Sequence, residues 1–463
     1  MSSLADRIRG VVGASNPHAP IPDQSAIRNP QSAIRSPQSL DLSALGGVWR
    51  DGCFVVERRT EPAARHGREA VGTLAECLDE SASEAALYAG GADARAPFVF
   101  FDLETTGLSG GAGTQAFLVG CGWFDHDAAF VTRQFLLTRY TDERPMLGTV
   151  AGELAQAGAL VSFNGKSFDA PLLETRYLFH RLAWNGRQHP HVDVLHPARR
   201  FWSRMSSVAQ ASRTDGARAS RTDGARAFRT GGARAFQASG EGCSLAALER
   251  QILGVRRAGD IPGFEIPGRY FQFVRTGDAR PLAAVLEHNR LDLLSLAALT
   301  ARLFHVTRHG PDAVRDAREA LALGHVYARG GFTARACDAY RRAVEMTERG
   351  AVSQLVRIES LRALALSHRR ARQYADAAAC WRRLVEAPGC PPRVVREATE
   401  ALAVHHEHRE LDLETARTFA LRGLDLGSEP VWVDAARYRL ARLDRKLAAE
   451  SLKSEVRSLD YEA

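Results

Sequence analysis

Hydrophobic and polar positions change rhythm three times along the chain. In residues 41–96, GVWRDGCFVVERR sets apolar runs on either side of Asp51-Gly52, a pair suited to the tight turn of a hairpin. An alanine-rich stretch near Thr73–Tyr88 follows with helical spacing. From Pro97 the texture alternates. FVFFD, TQAFLVGCGWF and AAFVTRQFLLT read as strands, a stretch near Glu143–Ala157 as a helix, and ALVSFNG as a fourth strand. A helix from about Phe168 to Leu182, a short apolar run at His191–Leu195, a helix near Leu245–Leu253 and a long one near Pro281–Phe304 complete an α/β pattern. After Pro311 the apolar spacing is helical throughout, and a last helix near Val431–Glu450 closes it.

Two tracts have no such rhythm. Residues 24–39 repeat QSAIRNP and QSAIRSP, and residues 212–235 repeat SRTDGARA with an eight-residue period. Neither period matches a face that could bury a core, so both tracts read as disordered, the second as an insertion or a flexible basic arm. The expected organisation is a repeat-containing N-terminus (1–40), a small N-terminal region (41–96), an α/β domain (97–308) interrupted at 212–235, and a helical domain (311–450). The tracts also reshape the charge. Of the net +7, the second tract holds six arginines against two aspartates and the first adds Arg28 and Arg35, so the chain total says little about partners. Seven scattered cysteines without a C-x-x-C pair argue against a disulfide framework or a zinc ribbon. The longest apolar runs fall far short of the ~20 residues that cross a bilayer, and Met1–Pro20 lacks an apolar signal core. The expected location is therefore cytoplasmic, with no membrane partner.

The chemistry concentrates in four places. In FDLETTGL, Asp102 and Glu104 are two residues apart on a strand and so share a face. Paired acids repel unless a cation lies between them, and hard oxygen donors favour Mg²⁺ or Mn²⁺. Thr105 opens the turn that follows, where Gly107 leaves room for a substrate. Asp169 lies in SFNGKSFDAPLL, just beyond the fourth strand, at the sheet edge where α/β proteins bind ligands. In LEHNRLDLLSL, His288 and Asp292 are four apart on a helix and share its face.

This ordered set resembles the DEDD exonuclease superfamily, with its ribonuclease H-like fold. More narrowly, DLETTGL, SFNGKSFDAPLLETR, HVDVLHPARRFW, the Cys243–Gly263 stretch and EHNRLDLLSL resemble the YprB-like ribonuclease H-like proteins of bacteria, over about Ala96–Phe304. The resemblance implies an α/β ribonuclease H-like domain in which Asp102, Glu104, Asp169 and Asp292 hold two divalent cations and His288 is the general base. It implies a 3′–5′ exonuclease acting on single-stranded DNA or RNA. One departure stands: the histidine subclass carries four residues between base and last acid, and here there are three, as in the tyrosine subclass.

Neighbouring residues keep two readings each. Asn164 either orients substrate or stabilises its turn; Lys166 either meets a phosphate or is solvated. Arg199, Arg200 and Arg204 around Phe201 and Trp202 suit backbone neutralisation with base stacking, or else an amphipathic helix that buries its aromatics. Asp193 is either an extra acid or a cap, and His189, His191 and His196 have no settled zinc geometry. In the last third, Leu323, Gly324, Tyr327, Ala336, Tyr340 and Ala343 fall at the offsets of a tetratricopeptide repeat. Weaker copies run through Leu364, Ala365, His368, Ala377, Trp381 and Leu384, and through Leu402, Ala403, His406, Ala416 and Ala420 once one residue is inserted. The region resembles tetratricopeptide repeats over about Ala317–Leu424, with generic helical hairpins as the alternative. Such repeats imply a concave docking surface for a protein partner. The rival to a nuclease is an adaptor whose nuclease-like domain is inactive and whose repeats do the binding.

Overall fold

Strands β1 (Val48–Arg50) and β2 (Cys53–Thr60) form the hairpin that Asp51 and Gly52 turn, both with positive φ, and β2 then pairs along its length with β7 (Phe130–Leu136). The hairpin expected in a small N-terminal region is thus part of the main sheet. The computed structural model describes residues 40–107, 113–203, 243–349, 354–426 and 430–462. Both repeat tracts lie outside the described residues, as does Arg204. The sheet has seven strands in the order β1-β2-β7-β6-β5-β8-β9. Strand β5 (Phe98–Thr105) pairs antiparallel with β6 (Ala116–Phe124) and parallel with β8 (Ala159–Ser162), and β9 (His191–Asp193) adds in parallel at the edge. A short hairpin of β3 (Arg65–His66) and β4 (Glu69–Ala70) stands apart from it and leads into α1 (Val71–Glu80).

Helices cover both faces. On one, α2 (Glu143–Leu154) and α3 (Asp169–Phe179) are tied by a buried ion pair. Arg176 donates to Glu143 at 2.6 and 2.5 Å and His180 joins at 2.8 Å. Burial alone would raise the Glu143 pKa, yet these partners hold it below its ordinary value. The other face carries α7 (Leu282–His309), a 28-residue helix whose second half is buried almost all round. It can lie close because β6 offers glycine beneath it: a Cβ on Gly120 would meet Asn289 Oδ1 at 2.1 Å. Two short helices, α4 (Leu195–Trp202) and α5 (Leu245–Leu248), flank the edge, and α6 (Ile266–Thr276) buries Tyr270 in a stacked contact with Phe117, ring centroids 4.1 Å apart.

Beyond α7 the described chain is helical. Helices α8 (Ala317–Arg329), α9 (Thr333–Arg349), α10 (Gln354–Arg370), α11 (Tyr374–Glu386), α12 (Pro392–His405), α13 (Leu413–Asp425) and α14 (Pro430–Glu462) each pack chiefly on the next. This region is no tethered appendage. One continuous apolar core runs from Val71 through the sheet and α7 into α8–α12. At the seam, the Trp202 indole donates to Glu319 at 2.9 Å, Arg302 donates to the same carboxylate at 2.8 Å, and Tyr327 donates to the Thr307 carbonyl at 2.6 Å. Within α8, Gly324 lets the Tyr340 ring of α9 come against the backbone: a Cβ there would sit 2.3 Å from the ring. Since Tyr340 is buried and bonded to His325 at 3.0 Å, it has little freedom to retreat. Gly324→Ala is expected to cost about 1–3 kcal/mol through overpacking, measured by denaturant unfolding of the variant against the parent chain.

Candidate active site

The two-residue period of β5 sets Phe98, Phe100, Asp102 and Glu104 in one row beneath α7. Phe98 meets Phe304 of α7, centroids 5.6 Å apart, so the antiparallel run of that helix brings its earlier residues over the acidic end of the row. Asn289 makes the junction. Its Nδ2 donates to Asp102 Oδ2 at 2.9 Å, while its Oδ1 accepts from Gln134 Nε2 at 2.9 Å. The β5–β6 register shifts between Glu104 and Thr105, a bulge at the strand end that carries the acids. His288 and Asp292 flank Asn289 on α7.

Asp169 arrives from the other side of β5, as the first residue of α3. The loop that delivers it is held by Asp193 at the end of β9. This buried carboxylate accepts the backbone N–H of Asn164 at 2.8 Å, of Lys166 at 3.1 Å and of Leu195 at 3.1 Å. Asp193 therefore caps a loop and a helix start. Asn164 takes the left-handed conformation, φ 71°, which suits an Asn before glycine. His191 lies tilted against the Phe101 ring and bonds Ser162 Oγ at 2.7 Å; burial, with the field of Lys166, pushes its pKa down to about 4.

The acids sense one another. Burial raises the Asp102 pKa well above the ordinary range, and Asp292, Glu104 and Asp169 push it further. Glu104 is raised by burial and then by Asp292, Asp169 and Asp260. Asp169, although at a helix N-terminus that favours negative charge, is pushed up to about 7 by burial and by Asp193. Asp292 has its own counter-ion: one Arg257 guanidinium nitrogen donates both to Asp292 Oδ1 and to Glu249 Oε1, and another donates to Asp260 Oδ2 at 3.1 Å. His288 sits between two acids, with Nδ1 donating to Asp260 Oδ1 at 2.7 Å and Nε2 3.6 Å from Asp292 Oδ2. Burial works to raise Asp260, but His288 and Arg257 outweigh it and hold it below its ordinary value. The network continues inward: Ser295 donates to Glu249 at 2.5 Å and meets His66 Nε2 at 2.8 Å.

Thus the fold brings Asp102, Glu104, Asp169, His288 and Asp292 to one place. Thr105 caps the following turn, its hydroxyl donating to the Gly107 carbonyl at 3.0 Å, and Lys166 is exposed on the Asp169 loop. Arg199 and Arg200 are exposed on α4, near Cys243 and near His325 and Arg329. Phe201 and Trp202 are buried in the seam with α8, so they are closed to base stacking; the amphipathic reading of HPARRFW is the one the packing bears out. Sequence reasoning assigned no role to Arg257, Asp260, Glu249 or Asn289. Asn289 is one residue from His288, and Arg257 and Asp260 lie in the Cys243–Gly263 stretch, but the partners that tie these two to the site, Asp292 and His288, are 35 and 28 residues away in sequence. A separate acidic group, Asp125, His126 and Asp127, has donor atoms within 4.8 Å of one another in the β6–β7 turn. Its own turn explains it. Asp125 accepts the backbone N–H groups of Asp127 and Ala129, and Arg59 pairs with both aspartates.

Comparison with known proteins agrees with this architecture. The RNase_H superfamily model matches residues 99–230 and 223–304. The chain is also similar to the uncharacterized protein YprB of Bacillus subtilis (strain 168), 27% identical over 404 residues that cover 86% of this chain and 87% of the relative.

Carboxyl groups with raised pKa bind protons in the folded state that the unfolded chain, titrating near 4, has already released. Their contribution is present below pH ~4 and is lost as pH rises through the folded value, about 7 for Asp169. Buried His66 and His191, both pushed down to about 4, act in the opposite sense, so the effect is read as a difference. In chelator, the melting temperature of the parent chain minus that of Asp169→Asn is expected to fall between pH 5 and pH 8, and saturating Mn²⁺ is expected to reverse that fall.

Proposed function

We propose that the protein, whose α/β part has a ribonuclease H-like fold and matches the RNase_H superfamily model over residues 99–230 and 223–304, is a metal-dependent nuclease. In this reading it hydrolyses phosphodiester bonds of single-stranded DNA or RNA as a DEDD-type 3′–5′ exonuclease in the cytoplasm. The observation that carries the proposal is the convergence of Asp102, Glu104, Asp169 and Asp292 at one sheet end, three of them with pKa values raised by burial and by neighbouring carboxylates. Of the four, Asp292 alone is paired with a guanidinium, that of Arg257, and the donors are all hard oxygens, which fits Mg²⁺ or Mn²⁺.

The four acids would hold two divalent cations. Bound there, the ions supply Lewis acidity, lowering the pKa of a water and offsetting charge on the attacking and leaving oxygens. The chain's own residues prepare that centre. Asn289 fixes the Asp102 carboxylate from α7, and Gly120 supplies the room for it to do so. Asp260 accepts from Nδ1 of His288, which fixes the ring and leaves Nε2 to act as general base. Arg257 holds the outer oxygen of Asp292. Exposed Lys166, Arg199 and Arg200, together with Thr105 and Asn164 beside the acids, are the candidate substrate contacts. The helical region is read as a tetratricopeptide-like surface that docks a protein partner, so that targeting is separate from cleavage.

One observation favours the rival adaptor reading: Arg257 already gives Asp292 the positive charge that a metal would supply. Labelled DNA and RNA strands with free or blocked 3′ ends, incubated with Mn²⁺, Mg²⁺ or chelator, separate the two. Stepwise shortening from free 3′ ends, dependent on metal and lowered about two to three orders of magnitude in Asp102→Ala, is the expected result. Equal digestion by parent and Asp102→Ala sinks the proposal. Absence of both cleavage and calorimetric Mn²⁺ binding favours the adaptor.

A further inference from the structure

We infer that a cavity walled by α1, the β3–β4 turn, the 249–253 turn, α7 and the segment entering α8 is a binding site for a small phosphate-bearing anion. Its volume is about 190 Å³, several times the ~30 Å³ share of one liquid water. Leu74 and Leu253 give it an apolar floor, and Arg68, Arg302 and Arg315 give it three guanidinium groups against one lining carboxylate, Glu69.

The positive charge there is poorly matched by the protein. Arg68 and Arg315 come from segments far apart in sequence and converge on a single acceptor, the backbone carbonyl of Ile252, at 3.4 and 3.1 Å. Two cations drawn to one neutral oxygen stand side by side, an arrangement that repulsion disfavours unless an anion joins them. Arg302 does have a carboxylate, Glu319 at 2.8 Å, but that carboxylate is already shared with the Trp202 indole and the Arg315 backbone N–H. Moreover, the buried Nε of Arg302 has no hydrogen-bond partner, so Glu319 satisfies that guanidinium only in part. The titration of the lining groups agrees in direction. Arg315 is held below its ordinary value by burial and by Arg302, and His305 on the same wall by burial, His309 and Arg302. Guanidinium forks match phosphate oxygens bidentately, and a phosphate here would accept from Arg68 and Arg315 at once, beside the charge of Arg302.

The cavity is separate from the acid cluster and needs no metal, so its test stands apart from nuclease activity. The full chain, in chelator and at constant ionic strength, is titrated calorimetrically with inorganic phosphate and, in a second arm, with a nucleoside 5′-monophosphate. Saturable one-to-one binding in either arm is expected, the first marking a site for the free ion and the second a site for the ester. Arg315→Ala and Arg68→Ala are each expected to weaken it about tenfold or more, the usual effect of losing a hydrogen bond to a charged group. Glu69→Gln should tighten it. Arg68 is exposed, so its variant keeps the core and the parent melting temperature. No saturable heat in either arm, or an affinity unchanged in both arginine variants, overturns the assignment.

Discussion

Several carboxyl groups packed at one end of a sheet repel one another, and the architecture around β5 is arranged to hold them there. Asp102 and Glu104 are covered by α7 and faced by Asp169 from α3, with Asp292 across from them. Left to electrostatics alone, such a group would open to water. It stays closed because the apolar half of the same strand row, Phe98 and Phe100, is locked beneath the buried second half of α7. Burial elsewhere on two rigid elements therefore stabilises an unfavourable juxtaposition at their ends, and stored repulsion of this kind is what a cation would relieve.

Counter-charges complete the picture. Arg257 joins Glu249, Asp260 and Asp292, and Asp260 in turn holds His288. Inward, Glu249 accepts from Ser295, which meets His66. The chain from the acid cluster to the β3–β4 hairpin is thus continuous in hydrogen bonds. His66 and Ser295 are buried, His66 also lining the cavity, and burial with the fields of Arg257 and Arg290 pushes the His66 pKa down to about 4. The cation-rich cavity lies against the same hairpin and the same stretch of α7.

The helical region bears on the site through packing rather than through contact with it. Since α7 contributes both the acid-facing residues and the wall on which α8 docks, the last third of the chain and the candidate centre share one helix and one core. Trp202, Arg302 and Glu319 close the seam with polar contacts inside an otherwise apolar junction. Among the described residues no helix is long and apolar enough to cross a membrane.

Much of this was legible in the sequence, and the limits have a physical basis. Strand and helix periods are local, so the alternation from Pro97, the sharing of a face by Asp102 and Glu104, and the His288–Asp292 pairing on one helical turn could be read directly. The Asp51-Gly52 hairpin could be read as well, since its turn is set by two residues, but nothing local told that β2 would join β7. Pairing of distant strands depends on which edge the folded sheet leaves open. The HPARRFW aromatics were ambiguous for the same reason: an amphipathic helix states that it has an apolar face, and only the arrival of α8 decided that the face is buried. Arg257 and Asp260 escaped notice because an ion pair between residues 28 or 35 positions apart has no period to reveal it. The sequence by itself determined which residues carry charge and which face they occupy. Tertiary structure alone decided which charges meet, because that depends on distances set by the packing of the whole core.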